Sequence, residues 1–182
     1  MLCPSFSPFP EIETQRLLLR RMTIDDAEVI LYLRSNDEVM KYIDRERTKS
    51  IEEAKSFIDK IDASLNSNNG VMWGIMLKEK PRTLIGNIGY WRLIKEHYRA
   101  EVGYMLHPSF WKKGIMKEAL LRVIDFGFAE MNLHSIEANI NPGNEASAKL
   151  LESTGFIKEA YFKEDFFFDG EFRDTIIYSR LK

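Results

Sequence analysis

A single cysteine, Cys3, stands among 182 residues, so the chain can form no internal disulfide and no multi-cysteine zinc cluster. It also sits close to the N-terminus, away from any motif that would lower its pKa, which argues against a catalytic thiolate. Positive charge is not in excess: 26 Lys and Arg stand against 28 Asp and Glu, a net charge of -2, with an isoelectric point near 6.0. No global field therefore exists to hold nucleic acid or an anionic membrane, and neither is an expected partner. No run of eighteen apolar residues occurs, which excludes a membrane-spanning helix. The three histidines, His97, His107 and His134, lack ligand spacing, and no metal is expected. Neither G-x-G-x-x-G nor G-K-[ST] is present, so the common dinucleotide and P-loop phosphate binders are disfavoured.

What is present suits one globular domain. The chain is 45% hydrophobic and 30% charged, ordinary for a folded protein and long enough to bury a core. Residues 1–10, with Pro4, Pro8 and Pro10, predict a flexible arm, and residues 11–182 the domain. That arm has no basic residue ahead of its short apolar stretch, which argues against a signal peptide. With the reducing habit of the cysteine content, this gives a cytoplasmic protein as the expectation.

Local patterns predict the elements. Arg16 to Arg20 reads as a strand, and Thr23 with Asp26 as a capping box opening a helix that carries Ala27, Ile30 and Leu31. Ser50 caps a second helix whose apolar residues Ile51, Ala54, Phe57, Ile58 and Ile61 recur at helical spacing. Asn69-Gly70 ends it, and Val71 to Leu77 and Thr83 to Leu93 follow as a hairpin. In the strand Ala100 to Leu106, alternation puts Ala100, Val102, Tyr104 and Leu106 on one face and Glu101, Gly103 and Met105 on the other. A helix from Ile115 to Phe128, a strand from His134 to Ile140, and a helix capped by Asn144 and ended at Gly155 come next. The aromatic-rich tail predicts a long hairpin turning at Asp169-Gly170. The order βα α βββ α β α ββ gives a mixed α/β (α+β) domain with a largely antiparallel sheet.

The passage from Tyr104 to Leu120 carries the chemistry. A strand runs through a short loop with Gly114 into a helix, a junction that aims free backbone N–H groups and the positive end of a helix dipole at one spot suited to a diphosphate. Lys112, Lys113 and Lys117 would add charge there. The plainer reading is a solvated helix start with surface lysines.

Together these motifs resemble the GNAT superfamily of N-acetyltransferases, in its RimJ/RimL-type ribosomal-protein-alanine branch. The resemblance runs in order through Thr14-Gln-Arg-Leu-Leu-Leu-Arg20, Leu84-Ile-Gly-Asn-Ile-Gly89, Ala100-Glu-Val-Gly-Tyr104 and Trp111-Lys-Lys-Gly-Ile-Met-Lys-Glu-Ala119. It continues in Asn141-Pro-Gly-Asn-Glu-Ala-Ser147, Leu151-Glu-Ser-Thr-Gly-Phe156 and Gly170-Glu-Phe-Arg-Asp174 with Tyr178. It implies a single-domain GNAT-like fold: a twisted, mostly antiparallel sheet of about seven strands, splayed in the middle and flanked by about four helices. It also implies acetyl-CoA as co-substrate and an amine acceptor.

The family's Q/R-x-x-G-x-G/A loop maps onto Trp111, Lys112, Lys113, Gly114, Ile115 and Met116, whose amides would grip the diphosphate. Trp111 and Met116 depart from the pattern, and Met116 fits only if its side chain points away. By the same resemblance Met105 and Leu106 would offer backbone groups to the pantetheine arm, and Asn144 would line the other wall. Glu101 is the candidate base for the attacking ammonium, against a plainer reading as a solvated carboxylate. The tyrosine that often protonates the thiolate falls at Leu151 here, so Ser147 takes that place, against a plainer reading as a helix serine bonded to a carbonyl behind it.

Three acceptor readings stand: a protein N-terminal amine, as the branch implies; a small amine such as a polyamine or aminoglycoside; or no turnover at all, in a module that only binds acyl-CoA. The acidic pair Glu164-Asp165 reads as a solvated face that would attract a cationic acceptor, and the aromatic hairpin as a surface on which a second copy could form a homodimer.

Overall fold

The computed structural model describes residues 1–182. Its strands are β1 (Ile12–Glu13), β2 (Leu17–Arg20), β3 (Val71–Leu77), β4 (Lys80–Ile94), β5 (Arg99–Leu106), β6 (Ser135–Ile140), β7 (Ile157–Phe168) and β8 (Glu171–Leu181). Its helices are α1 (Ala27–Ser35), α2 (Asp37–Met40), α3 (Ile51–Asn66), α4 (Ile115–Ala129) and α5 (Glu145–Ser153). The expected fold class holds. The two elements beyond the expected count are the two-residue β1 and the single-turn α2, both too short to leave a periodic signal.

One sheet runs in the order β1-β2-β3-β4-β5-β6-β8-β7. Every neighbouring pair is antiparallel except β5 with β6. That parallel pair is joined at only three positions: Arg99 with Ser135, Ala100 with Ile136, and Glu101 with Glu137. Beyond Glu101 the two strands part, and the sheet opens along the C-terminal half of β5. This is the splay that the resemblance implied.

The caps fall where the sequence predicts them. Thr23 and Asp26 form a reciprocal capping box, Ser50 accepts from the Glu53 amide at 3.2 Å, and Asn144 accepts from the Ser147 amide at 3.1 Å. Asp169 and Gly170 take φ values of 52° and 81°, the left-handed pair that closes a tight hairpin.

Helix α4 packs on β4 where Gly127 meets Tyr90. A Cβ on Gly127 would come within 2.2 Å of the Tyr90 hydroxyl, which itself donates to the Val123 carbonyl at 2.8 Å. Trp73, Tyr90, Leu120 and Ile124 are fully buried in the core between sheet and helix, each removing about 2 kcal/mol or more of apolar surface from water.

The N-terminal segment corrects one expectation. Leu2 and Phe6 are buried in the main core, the Leu2 amide donates to Lys95 O at 2.9 Å, and the Trp73 indole donates to Pro10 O at 2.6 Å. Prolines remove backbone donors, but the spaced apolar side chains Leu2, Phe6 and Phe9 still fasten residues 1–10 to the domain.

Candidate active site

The parting of β5 and β6 opens a cleft of about 940 Å³. Val102, Gly103, Tyr104 and Met105 form one wall, and Ala138 to Asn141 with Asn144 and Ser147 the other. The segment carrying Tyr42 to Arg45, helix α3 and the β7–β8 hairpin border its outer part.

Glu101 sits at the floor, in the last joined rung, and is only 6% exposed. Its Oε1 accepts from the Asn139 amide at 3.1 Å, and the same amide nitrogen donates to Glu137 at 3.0 Å. Burial first, and the charge of Glu137 second, push the Glu101 carboxyl up to about 7. Arg92, 4.0 Å away, and Arg45 act in the opposite direction but less strongly. A carboxyl with that pKa in a cleft can take a proton at neutral pH and give it up again.

Ser147 lies on the opposite wall, half-buried in the first turn of α5. Its hydroxyl accepts from the Tyr104 hydroxyl at 3.2 Å and makes no bond to the carbonyl a turn behind it, unlike the plainer reading. Tyr104 is the residue that strand alternation missed. The cleft opens along the edge of β5 beyond Glu101, so residues from both faces border it, and Tyr104 shares the site with Glu101 instead of facing away. Burial pushes its phenol up to about 12, with the hydrogen bond to Ser147 pulling the other way, so the hydroxyl stays protonated.

The loop before α4 forms a separate feature beside the cleft. Trp111 donates its indole N–H to Leu106 O at 2.7 Å, so of the Leu106 backbone groups the carbonyl is already engaged. Lys112 and Gly114 take φ values of 58° and 73°, and these left-handed turns bring the chain into the helix. None of the N–H groups from Lys112 through Gly114 and Ile115 to Lys117 reaches an acceptor within the protein. Six consecutive amides thus stand without a protein acceptor at the start of α4, an arrangement of the kind that suits an anion.

Met116 leaves that arrangement open: its side chain is buried in the core with Ile115. The side chains of Lys112, Lys113 and Lys117 are exposed around the loop. Trp111 to Lys117 do not line the large cleft, whereas Met105, Asn144, Ser147 and Glu101 do. The predicted residues thus fall into two adjoining groups.

Two residues far away in sequence hold the loop. Glu118 accepts from the Thr14 hydroxyl at 2.5 Å, from the Arg16 amide at 2.8 Å and from Arg16 Nε at 2.6 Å, while Arg16 Nη1 donates to Lys113 O at 3.0 Å. Burial works against the charged form of Glu118, and these bonds outweigh it, so the carboxyl is held below its ordinary value. No spacing rule could pair residues so far apart.

The chain belongs to the GNAT acetyltransferases: residues 16–157 match the family model described as "Acetyltransferase (GNAT) domain". It is 40% identical over 174 residues to an uncharacterised N-acetyltransferase of Bacillus subtilis, YoaA, covering 96% of this chain and 98% of that protein. It is 32% identical over 97 residues to the ribosomal protein uS5-alanine N-acetyltransferase of Escherichia coli, covering 53% of this chain and 50% of that enzyme. Among solved structures, the spermidine N-acetyltransferase of Vibrio cholerae in complex with CoA and spermine superposes with a TM-score of 0.81 at 26% identity, covering 92% of this chain and 96% of that one. The protein is accordingly an acetyl-CoA-dependent N-acetyltransferase whose acceptor is an amine.

Proposed function

We propose that the acceptor is an α-amine, as at a protein N-terminus, and that Glu101 deprotonates it in the cleft where β5 and β6 part. The single observation that carries this reading is the Glu101 carboxyl, buried at the floor of that cleft with a pKa pushed up to about 7. Such a base matches an α-ammonium of pKa near 7.8, roughly a tenth to a sixth of which is already neutral at pH 7. A lysine or polyamine ammonium near 10.4 is only about 0.04% neutral there, and proton transfer from it to Glu101 runs uphill.

A thioester is already an activated acyl donor, so a neutral amine held beside it attacks directly, and the protein's task is to bind, orient and move protons. In this reading the amides from Lys112 to Lys117 cradle the diphosphate, with the three lysines around them and Trp111 bracing the loop. Leu106 supplies its amide along the open edge of β5, and Met105 borders the cleft beside it. Asn144 keeps its side chain on α5 and lines the slot. Ser147, fixed by the Tyr104 hydroxyl, turns its own proton toward the departing thiolate. A thiol leaving group of pKa near 8.5 needs only modest help.

A panel of amines read by release of free CoA tests the reading. Peptides with N-terminal alanine should be used with kcat/KM at least about tenfold above spermidine or an N-acetylated lysine peptide, the least that one mismatched proton transfer would cost. Preferential use of spermidine would overturn it.

A further inference from the structure

The charged side chains of the cleft fall into two groups. Two of its three aspartates are engaged: Asp44 lies 3.8 Å from Arg173 and accepts from Asn141 at 3.4 Å, and Asp174 accepts from the Tyr161 hydroxyl and from the Glu164 amide. Asp165, of the acidic pair noted in the sequence, is the one aspartate without a partner, on the exposed hairpin.

The arginines differ. Arg34 donates Nε to the Thr48 hydroxyl at 2.9 Å and lies 4.1 Å over the Phe57 ring, with no carboxylate in ion-pair range. Arg45 stacks 4.9 Å over Trp91, also without a carboxylate. Both line the cleft with Glu101, and Arg92 stands 4.0 Å from that carboxylate. Burial, and then the charge of Arg45, hold the Arg34 guanidinium below its ordinary value. Arg34 and Arg45 therefore line one cavity, together with Lys60 and Arg92, and neither of the two has an ion-pair partner.

An ammonium arriving at Glu101 must sit beside Arg45 and Arg92. A second positive charge on the acceptor is repelled there, whereas a carboxylate a few ångströms from the amine meets two guanidinium groups that have no carboxylate partner and whose remaining N–H groups can bind it. Resting on the α-amine reading above, we infer that the acceptor carries a carboxylate within one or two residues of its reacting amine, and that Arg34 and Arg45 bind it. That carboxylate belongs either to an acidic side chain at the second or third position of a peptide or to a free amino acid.

The test compares kcat/KM, by CoA release, for three peptides beginning Ala-Glu-Asp, Ala-Gln-Asn and Ala-Lys-Lys, together with free glutamate and spermidine. The acidic peptide should exceed the neutral one by about tenfold, the size of one charge-assisted hydrogen bond, and the basic one should fall below both. Raising the salt to about 0.5 M should narrow the gap. Arg34→Gln combined with Arg45→Gln should bring the acidic-to-neutral ratio close to one. Arg45→Gln alone, at an exposed position, should lower it even if the double variant folds poorly.

Free glutamate used better than the neutral peptide would support the inference with the free amino acid as the source. Equal use of acidic and neutral peptides, or a gap that survives Arg45→Gln, overturns it. Peptides used without regard to charge would sink this inference alone, whereas turnover of spermidine in place of every α-amine would sink the α-amine reading with it.

Discussion

Glu101 and Glu137 are register partners in the last rung that joins β5 to β6, and one amide nitrogen, that of Asn139, donates to both carboxylates. Two like charges are thus held side by side at the point where the sheet opens. Glu137 is paired with Arg99, and Glu101 carries the consequence of their closeness: its ionised form is disfavoured by burial and then by its neighbour.

Glu137→Gln should lower the pKa of Glu101, since it removes the second cause of the rise. The acid limb of the kcat/KM profile should move to lower pH, with the plateau rate little changed. A pH–rate profile with an alanine-terminated peptide checks it; a limb that stays in place would show that Glu137 does not act on the titrating group.

Glu101 should also cost stability. Its folded pKa, about 7 against an ordinary 4.5, means the folded state holds the proton more tightly, so stability falls as pH rises from about 4.5 to 7. Above pH 7 the penalty is at most about 3 kcal/mol. Glu101→Gln should therefore raise Tm by several degrees at pH 8 and leave it nearly unchanged at pH 4.5, as scanning calorimetry at the two pH values would register. A variant less stable than wild type at pH 8 would contradict the burial of a strained carboxylate.

The cradle before α4 should answer to backbone conformation. Gly114 has φ of 73°, while its added Cβ would meet only Arg16 Nη2 at an ordinary 3.5 Å. Gly114→Ala is therefore opposed by the dihedral angle and not by crowding, at about 1–2 kcal/mol. Titration calorimetry should show acetyl-CoA binding weakened by about tenfold, with the KM for the amine little altered. Unchanged affinity would mean that the loop does not hold the cofactor.

Ser147→Ala and Tyr104→Phe should each lower kcat by a modest factor, about 3–30, because the thiolate is a good leaving group. The double variant should be no slower than the worse single one, since the two hydroxyls form one hydrogen-bonded unit. Steady-state kinetics of the cycle decide it, and fully additive losses would show that the hydroxyls act separately.

The parts of this molecule that follow from local rules were legible in the sequence: the capping box at Thr23, the N-cap at Ser50, the Asp169-Gly170 turn, and the strand, loop and helix around Gly114. Parts that depend on the path of the sheet were not. Tyr104 lies on the nominal far face of β5 and enters the site only because β6 turns away after Glu137. Arg16 and Glu118 brace the loop across 102 residues, and Arg34 and Arg45 reach the cleft from α1 and the segment after α2, where nothing in their neighbours marks them as facing a cavity. Leu2 and Phe6 read as a loose arm because prolines dominate their surroundings, although apolar burial decides their place. Residue spacing reports contacts within an element; contacts between elements, which build most of this site, leave no comparable trace.

The most direct test of the account is the pH dependence of kcat/KM for wild type and Glu101→Gln with one alanine-terminated peptide, alongside acetyl-CoA affinity measured for both. The account predicts a wild-type rate that rises through about pH 7, a variant slower by about a hundredfold or more on the plateau and lacking that limb, and equal cofactor affinity. A Glu101→Gln enzyme with the wild-type rate and the wild-type profile would contradict it.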